Sequence, residues 1–190
     1  MKKENTMKIA VTGNIGSGKT EFVKFLTSLN YKCISSDKII AQLYKNHSIR
    51  GTILEKLGIS EKDYKKKIID NLSDEKFNRK LKKIIYPYLY ARKKKAALKH
   101  NILLPTFYEV PLLFEENLSN NFDLAVFIKA DFNKRMKRVL ARGVSENYFR
   151  IMDKKQINQE QKQLLADYTI VNNSSILNLR LNIIKLLNNI

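Results

Sequence analysis

The segment Gly13-Asn14-Ile15-Gly16-Ser17-Gly18-Lys19-Thr20 constrains this chain more than any other feature. It fits the pattern G-x-x-x-x-G-K-[ST], which works only at the turn between a strand and a helix. The flanks agree. Met7–Thr12 (MKIAVT) reads as a buried strand, and Thr20–Leu29 reads as a helix with Phe22, Phe25, Leu26 and Leu29 on one face. Glycines let such a loop wrap a phosphate with its N–H groups turned inward, and the helix adds its positive N-terminal end. In this reading Lys19 reaches the β- and γ-phosphates and Thr20 holds Mg²⁺ through its hydroxyl. The competing reading is a glycine-rich turn with an incidental lysine. Three of the chain's six glycines lie in this loop, and at ordinary glycine usage a chance match is on the order of one in a hundred. The loop therefore points to a nucleoside triphosphate.

GTPases, ATPases and small-molecule kinases share such loops. No NKxD-like guanine-reading sequence follows a strand, and 190 residues suit a small kinase better than a motor or transporter. Further strands are expected at Tyr31–Ser35, Leu103–Val110, Phe122–Ile128 and Tyr168–Val171. Helices are expected from Asp37 to Tyr44, in short pieces over Ser48–Asn71 broken near Gly58, and from Ser73 to Ile85. Pro87 should end or kink that last helix, with another over Tyr88–His100. Helices over 133–141, 145–155, 159–165 and 176–187 complete the pattern. The alternation predicts an α/β fold of three layers around a five-stranded parallel sheet.

Charge raises a different possibility. Lys+Arg number 36 against 18 Asp+Glu, a formal net charge of +18 and a pI near 9.9. Such a balance suggests nucleic acid or an anionic membrane. However, the cations are 28 Lys and 8 Arg, and Arg is the better reader of base edges. No nucleic-acid motif is present, so a basic nucleic-acid-binding protein remains an alternative and neither nucleic acid nor membrane is an expected partner. No apolar run approaches the roughly 20 residues of a membrane span. The single cysteine, Cys33, excludes an internal disulfide. A soluble, cytoplasmic protein is expected, as a monomer or weak homo-oligomer. Either Met1 or Met7 is a possible start.

A kinase needs a base or orienting group beside the accepting hydroxyl. Asp37, just past the second strand, stands where ligands bind in open parallel sheets. A helix cap is an equally good reading of it, as it is of Ser35 and Ser36. Several patches together resemble the dephospho-coenzyme A kinase family: the loop 13–20, Ile34–Ala41 (ISSDKIIA), Leu81–Tyr88 (LKKIIYPY), Val110–Glu115 (VPLLFE), Arg138…Arg142 followed by Arg150-Ile151…Gln156, and Ala166–Asn173 (ADYTIVNN). Their order and spacing agree from about Met7 to Leu187.

The resemblance implies ATP-dependent phosphorylation of the 3′-hydroxyl of dephospho-coenzyme A, with ATP and Mg²⁺. Asp37 takes the place of the catalytic carboxylate. Lys19 and Arg142 join it in catalysis. Gly13, Asn14, Ile15, Gly16, Ser17, Gly18, Lys19, Thr20, Arg138, Arg142 and Asn172 would bind the nucleotide. Tyr86, Pro111, Leu112 and Leu113 would join Asp37 at the acceptor, and Thr20 would hold the metal. A kinase for another acceptor, such as a nucleoside or its monophosphate, is the nearer alternative. One domain is expected, with a core of 7–42, 102–142 and 162–190. An acceptor-binding helical insertion would span 43–101 and a small lid 143–161. Residues 45–99 carry a net charge of +11, suited to steering an anionic acceptor. The family's usual residues are replaced at Asn14, Ser35, Lys82, Tyr86 (a His in the family) and Ser174. Glu109 is either a water-mediated metal contact or a strand-end carboxylate. Arg135 and Arg150 are either lid groups or solvated charges, and the runs Lys65–Lys67 and Arg92–Lys95 read as solvated faces.

Overall fold

A computed structural model describes residues 6–71, 74–97 and 104–190. The expected Ser73 helix start, the His100 helix end and the Leu103 strand start lie outside the described residues. The elements run β1 (Lys8–Thr12), α1 (Lys19–Ser28), β2 (Lys32–Ser35), α2 (Ser36–Lys45), α3 (His47–Leu57), α4 (Tyr64–Asn71), α5 (Glu75–Ala97) and β3 (Thr106–Glu109). A short 3₁₀ turn, Ser119–Asn121, precedes β4 (Leu124–Lys129), and α6 (Phe132–Leu140), α7 (Glu146–Lys154), α8 (Gln159–Leu165), β5 (Tyr168–Val171) and α9 (Ile176–Leu187) follow.

The strands form one sheet in the order β2-β3-β1-β4-β5. The pairs β1–β3, β1–β4 and β4–β5 are parallel, with Ala10 beside both Tyr108 and Ala125. Four residues of β1 and all of β3 are buried, as expected where helices cover both faces of a parallel sheet. On one face Ile9, Val11, Phe107, Val126, Ile128 and Ile170 pack with Phe22 and Leu26 of α1 and Leu179, Ile183 and Leu186 of α9. Half-buried Cys33 packs against this cluster.

The chain divides into two compact units, one within Met1–Ile34 and His100–Ile190, the other within Ser35–Lys99. The helical unit thus starts at Ser35, ahead of residue 43. The reason is packing: α2 buries Ile39 and Leu43, and it contacts both α5 and α3. Asp37 therefore travels with the helical unit.

Pro87 neither ends nor divides its helix, because α5 runs unbroken from Glu75 to Ala97. Proline removes one backbone bond and crowds the preceding turn, at a cost of about 3 kcal/mol. Leu81, Ile85 and Leu89 lie four residues apart on both sides of Pro87 and are all buried. Each contributes about 1.5–3 kcal/mol on burial, so the continuous stripe outweighs the proline. No described helix is long and apolar enough to cross a membrane.

Candidate active site

The loop between β1 and α1 needs its glycines. Gly13, Gly16 and Gly18 have φ of 154°, 78° and 109°, the latter two well inside the region that L side chains rarely adopt. A Cβ at Gly16 would lie 2.5 Å from the backbone oxygen of Arg135, and one at Gly13 would lie 2.6 Å from that of Ile128. The loop is therefore wedged between β4, α6 and the residues after β5. Lys19 Nζ donates to Gly13 O at 2.6 Å and to Asn14 O at 3.2 Å, so the ammonium sits within the loop's own turn. Ser17 is fully buried and its hydroxyl has no hydrogen-bond partner among the described residues.

Asn172 and Arg138 fasten the loop from the side of β5. The buried Asn172 donates through Nδ2 to Ser17 O at 2.8 Å, and its backbone N–H donates to Lys129 O at 2.7 Å. Arg138 donates through one amino nitrogen to Asn172 O at 2.8 Å. Burial pushes the Arg138 guanidinium's pKa down, and the neighbouring Arg142 pushes it the same way. The two guanidiniums thus lie close enough to repel each other. Arg142 is exposed, one residue before Gly143, whose φ is 78°.

Arg135 is no solvated charge. It is 3% exposed, and it donates to Ala130 O at 3.0 Å, to Ile15 O at 3.2 Å and to Asp153 Oδ1 at 2.6 Å. Arg150 is the surface charge of the pair, bonded to Glu146 one turn earlier at 2.6 Å. After β3, Leu113 is wholly buried, whereas Pro111 and Leu112 are partly exposed. Glu109 is buried at the end of β3, and no cluster of three or more His, Cys, Asp or Glu able to hold a metal occurs among the described residues.

Within the helical unit, the cap of α2 is Ser35, whose hydroxyl accepts from Lys38 N at 3.4 Å. Asp37 lies inside the first helical turn and is exposed. The capping duty that competed for it therefore falls to Ser35. Tyr86 is half-buried, its ring edge-on to Tyr90 at 5.8 Å. Lys93 was expected on a solvated face but turns partly inward from α5. Burial pushes its ammonium's pKa down, and the Asp37 carboxylate opposes that shift. A cleft of about 520 Å³ opens between α2, α3 and α4, lined by Ala41, Tyr44, Lys45, Arg50, Tyr64 and Ile68 among others. Its α2 residues follow Asp37 at positions four, seven and eight, on the same helical face. Lys93 and this cleft were not legible beforehand. One is hidden in a run of like charges, and the other depends on how three short helices pack.

A dephospho-CoA kinase family profile matches residues 7–178. The dephospho-CoA kinase of Rickettsia typhi is 30% identical over 187 residues, covering 97% of each chain. That of Aquifex aeolicus is 32% identical over 178 residues, covering 89% of this chain and 90% of the relative. A crystal structure from Thermus thermophilus aligns with a TM-score of 0.84 at 23% identity over 98% of each chain. A dephospho-CoA kinase from Campylobacter jejuni aligns at 0.62 and 23% identity over 97% of each. A shikimate kinase from Acinetobacter baumannii aligns at 0.56 and 16% identity, over 97% of this chain and 93% of the other. The structural likenesses establish a shared kinase fold. The sequence matches go further, and by them this chain belongs to the dephospho-CoA kinase family.

Proposed function

We propose that the protein transfers the γ-phosphoryl group of ATP to the 3′-hydroxyl of dephospho-coenzyme A, giving coenzyme A and ADP. The observation that carries this reading is the family match over residues 7–178, which includes an intact phosphate loop. The loop's residues fit a polyphosphate. Its glycine turns leave no room for side chains, and the Lys19 ammonium lies within hydrogen-bond reach of the turn. Backbone N–H groups at the start of α1 would hold the β-phosphate, and Lys19 would turn from the loop carbonyls to phosphate oxygens. Thr20 is the residue that would hold Mg²⁺, which when bound neutralises charge on the β- and γ-phosphates.

In this reading Asp37 accepts the proton of the 3′-hydroxyl as its oxygen bonds to phosphorus and the bond to the β-phosphate oxygen breaks. Its exposure, with the cap duty met by Ser35, supports that role. Arg138 and Arg142 would neutralise charge on the transferring group. The acceptor would meet Tyr86, Pro111 and Leu112. The cleft on the Asp37 face of α2 has apolar walls and a rim with Lys45, Arg50 and Lys65, suited to an acceptor joining a diphosphate to an apolar arm. Catalysis would rest on positioning and charge neutralisation.

The test is direct. Purified protein with ATP, Mg²⁺ and dephospho-coenzyme A should yield coenzyme A, and a folded sample without turnover would refute the assignment. Lys19→Ala should abolish nearly all activity. Asp37→Asn should lower turnover far more than ATP affinity, whereas equal losses would mark Asp37 as structural.

A further inference from the structure

The stretch after α7 is tied to the phosphate loop by side chains that the proposed chemistry does not use. Gln156 Oε1 accepts from Ile15 N at 2.7 Å, while its Nε2 donates to Pro111 O at 3.4 Å. Asn14 Nδ2 donates to Ile157 O at 3.2 Å. Arg135 bridges Ile15 O and Asp153. Both Asn14 and Ile15, in the first half of the loop, are thus held by residues 153–157.

Those residues are held in turn from behind. Lys162 on α8 is fully buried, and its ammonium lies 2.8 Å from Glu115 Oε1. The same Glu115 oxygen accepts from Ile157 N at 3.1 Å, and Lys162 Nζ reaches Pro111 O at 3.4 Å. Burying two charges is expensive, and well-packed apolar residues of similar volume often stabilise a fold equally well. What an apolar pair cannot do is fix the amide of Ile157 and the carbonyl of Pro111, the two backbone groups that flank Gln156. Burial pushes the Lys162 pKa down, with Glu115 opposing that shift, as expected of a cation kept for the pair it makes.

We propose that Gln156 is a positioning residue for the nucleotide, holding the Ile15 edge of the phosphate loop in its binding shape, and that the Lys162–Glu115 pair acts through Gln156. The stem 153–162 is then a fixed wall of the nucleotide site, and closure is confined to the segment from Gly143 to Met152. The inference rests on reading the loop as the ATP site but not on the identity of the acceptor.

The experiment measures ADP and ATP affinity by titration calorimetry, alongside KM for both substrates, in Gln156→Ala, Lys162→Met and the double variant. Gln156→Ala should weaken nucleotide binding about tenfold, the loss of roughly one hydrogen bond's worth of organisation. Its acceptor KM should stay within about twofold and its Tm within about 2 °C, as for a half-buried side chain on the surface of the stem. Lys162→Met should weaken nucleotide binding similarly, and the double variant should be no worse than the more affected single one, because residues acting through one contact do not add. Unchanged nucleotide affinity in Gln156→Ala would overturn the proposal, as would affinity lost only in step with Tm. Additive losses in the double variant would overturn the link to Lys162. If Lys162→Met does not fold, Gln156→Ala decides alone. Failure of the dephospho-coenzyme A assay leaves these affinities measurable, so the two readings fail separately.

Discussion

Gly18→Ala tests how tightly the phosphate loop is enclosed. Gly18 has φ 109°, and a Cβ there would fall on Asn172 Nδ2. Two penalties follow. A non-glycine residue on the left-handed side of φ loses about 1–2 kcal/mol. The displaced Asn172 amide gives up its 2.8 Å bond to Ser17 O, and an unmet buried partner adds about 1–3 kcal/mol. The sum is about 3 kcal/mol, which for a chain of this size lowers Tm by about 6–12 °C. Asn172→Ala alone removes the same bond and should destabilise by about 1–3 kcal/mol. In the double variant the clash has no target and the bond is lost only once. Its destabilisation should therefore fall short of the sum by about 1–3 kcal/mol, the worth of that bond. Denaturant unfolding of all four proteins measures the coupling. Additivity within about 0.5 kcal/mol, or a Gly18→Ala protein as stable as the parent, would refute the reasoning.

Two further outcomes are expected. Pro87→Ala should stabilise the protein by about 2 kcal/mol, restoring a bond within α5 and removing a clash, less the entropy that proline takes from the unfolded chain; a lower denaturation midpoint would show that the helix is built around its proline. Lys93 should lose its proton below the ordinary 10.5 because burial disfavours the charged form, so turnover should fall on the alkaline side as Asp37 loses its cationic neighbour. Lys93→Arg keeps its charge over that range and should move the fall to higher pH; an alkaline limb unchanged in that variant would separate Lys93 from the site.

The strands and the loop were legible because short-range chemistry determines them. Apolar runs of four to six residues suit the strands of a covered parallel sheet, and a turn that must reach positive φ three and five residues after Gly13 requires glycine at both places. That one helix continues past Pro87 was not legible, for the opposite reason. The proline's local penalty is visible in the chain, whereas the stripe of Leu81, Ile85 and Leu89 that overrides it acts only once α2 and α3 are in place. The start of the compact helical unit at Ser35 is of the same kind, since whether α2 belongs with the sheet or with α5 depends on where Ile39 and Leu43 are buried.

Lysine shows where single-residue reading stops. The chain has 28 of them, and by composition each is most simply a solvated charge. Lys19 is singled out by its motif. Lys162 has no such mark, yet it is fully buried against Glu115, 47 positions away in sequence. A buried ammonium is tolerated only where a carboxylate and carbonyl oxygens converge on it, and that convergence is a property of three segments packed together. Among the cations assigned to the proposed chemistry and its support, Lys19, Arg135, Arg138 and Lys162 are partly or wholly buried, while Arg142 is exposed. The +18 that dominates the composition is carried mostly by other side chains. Net charge bears on how an anionic acceptor approaches, whereas the proposed reaction would draw on a few cations, most of which the fold has taken partly or wholly out of water.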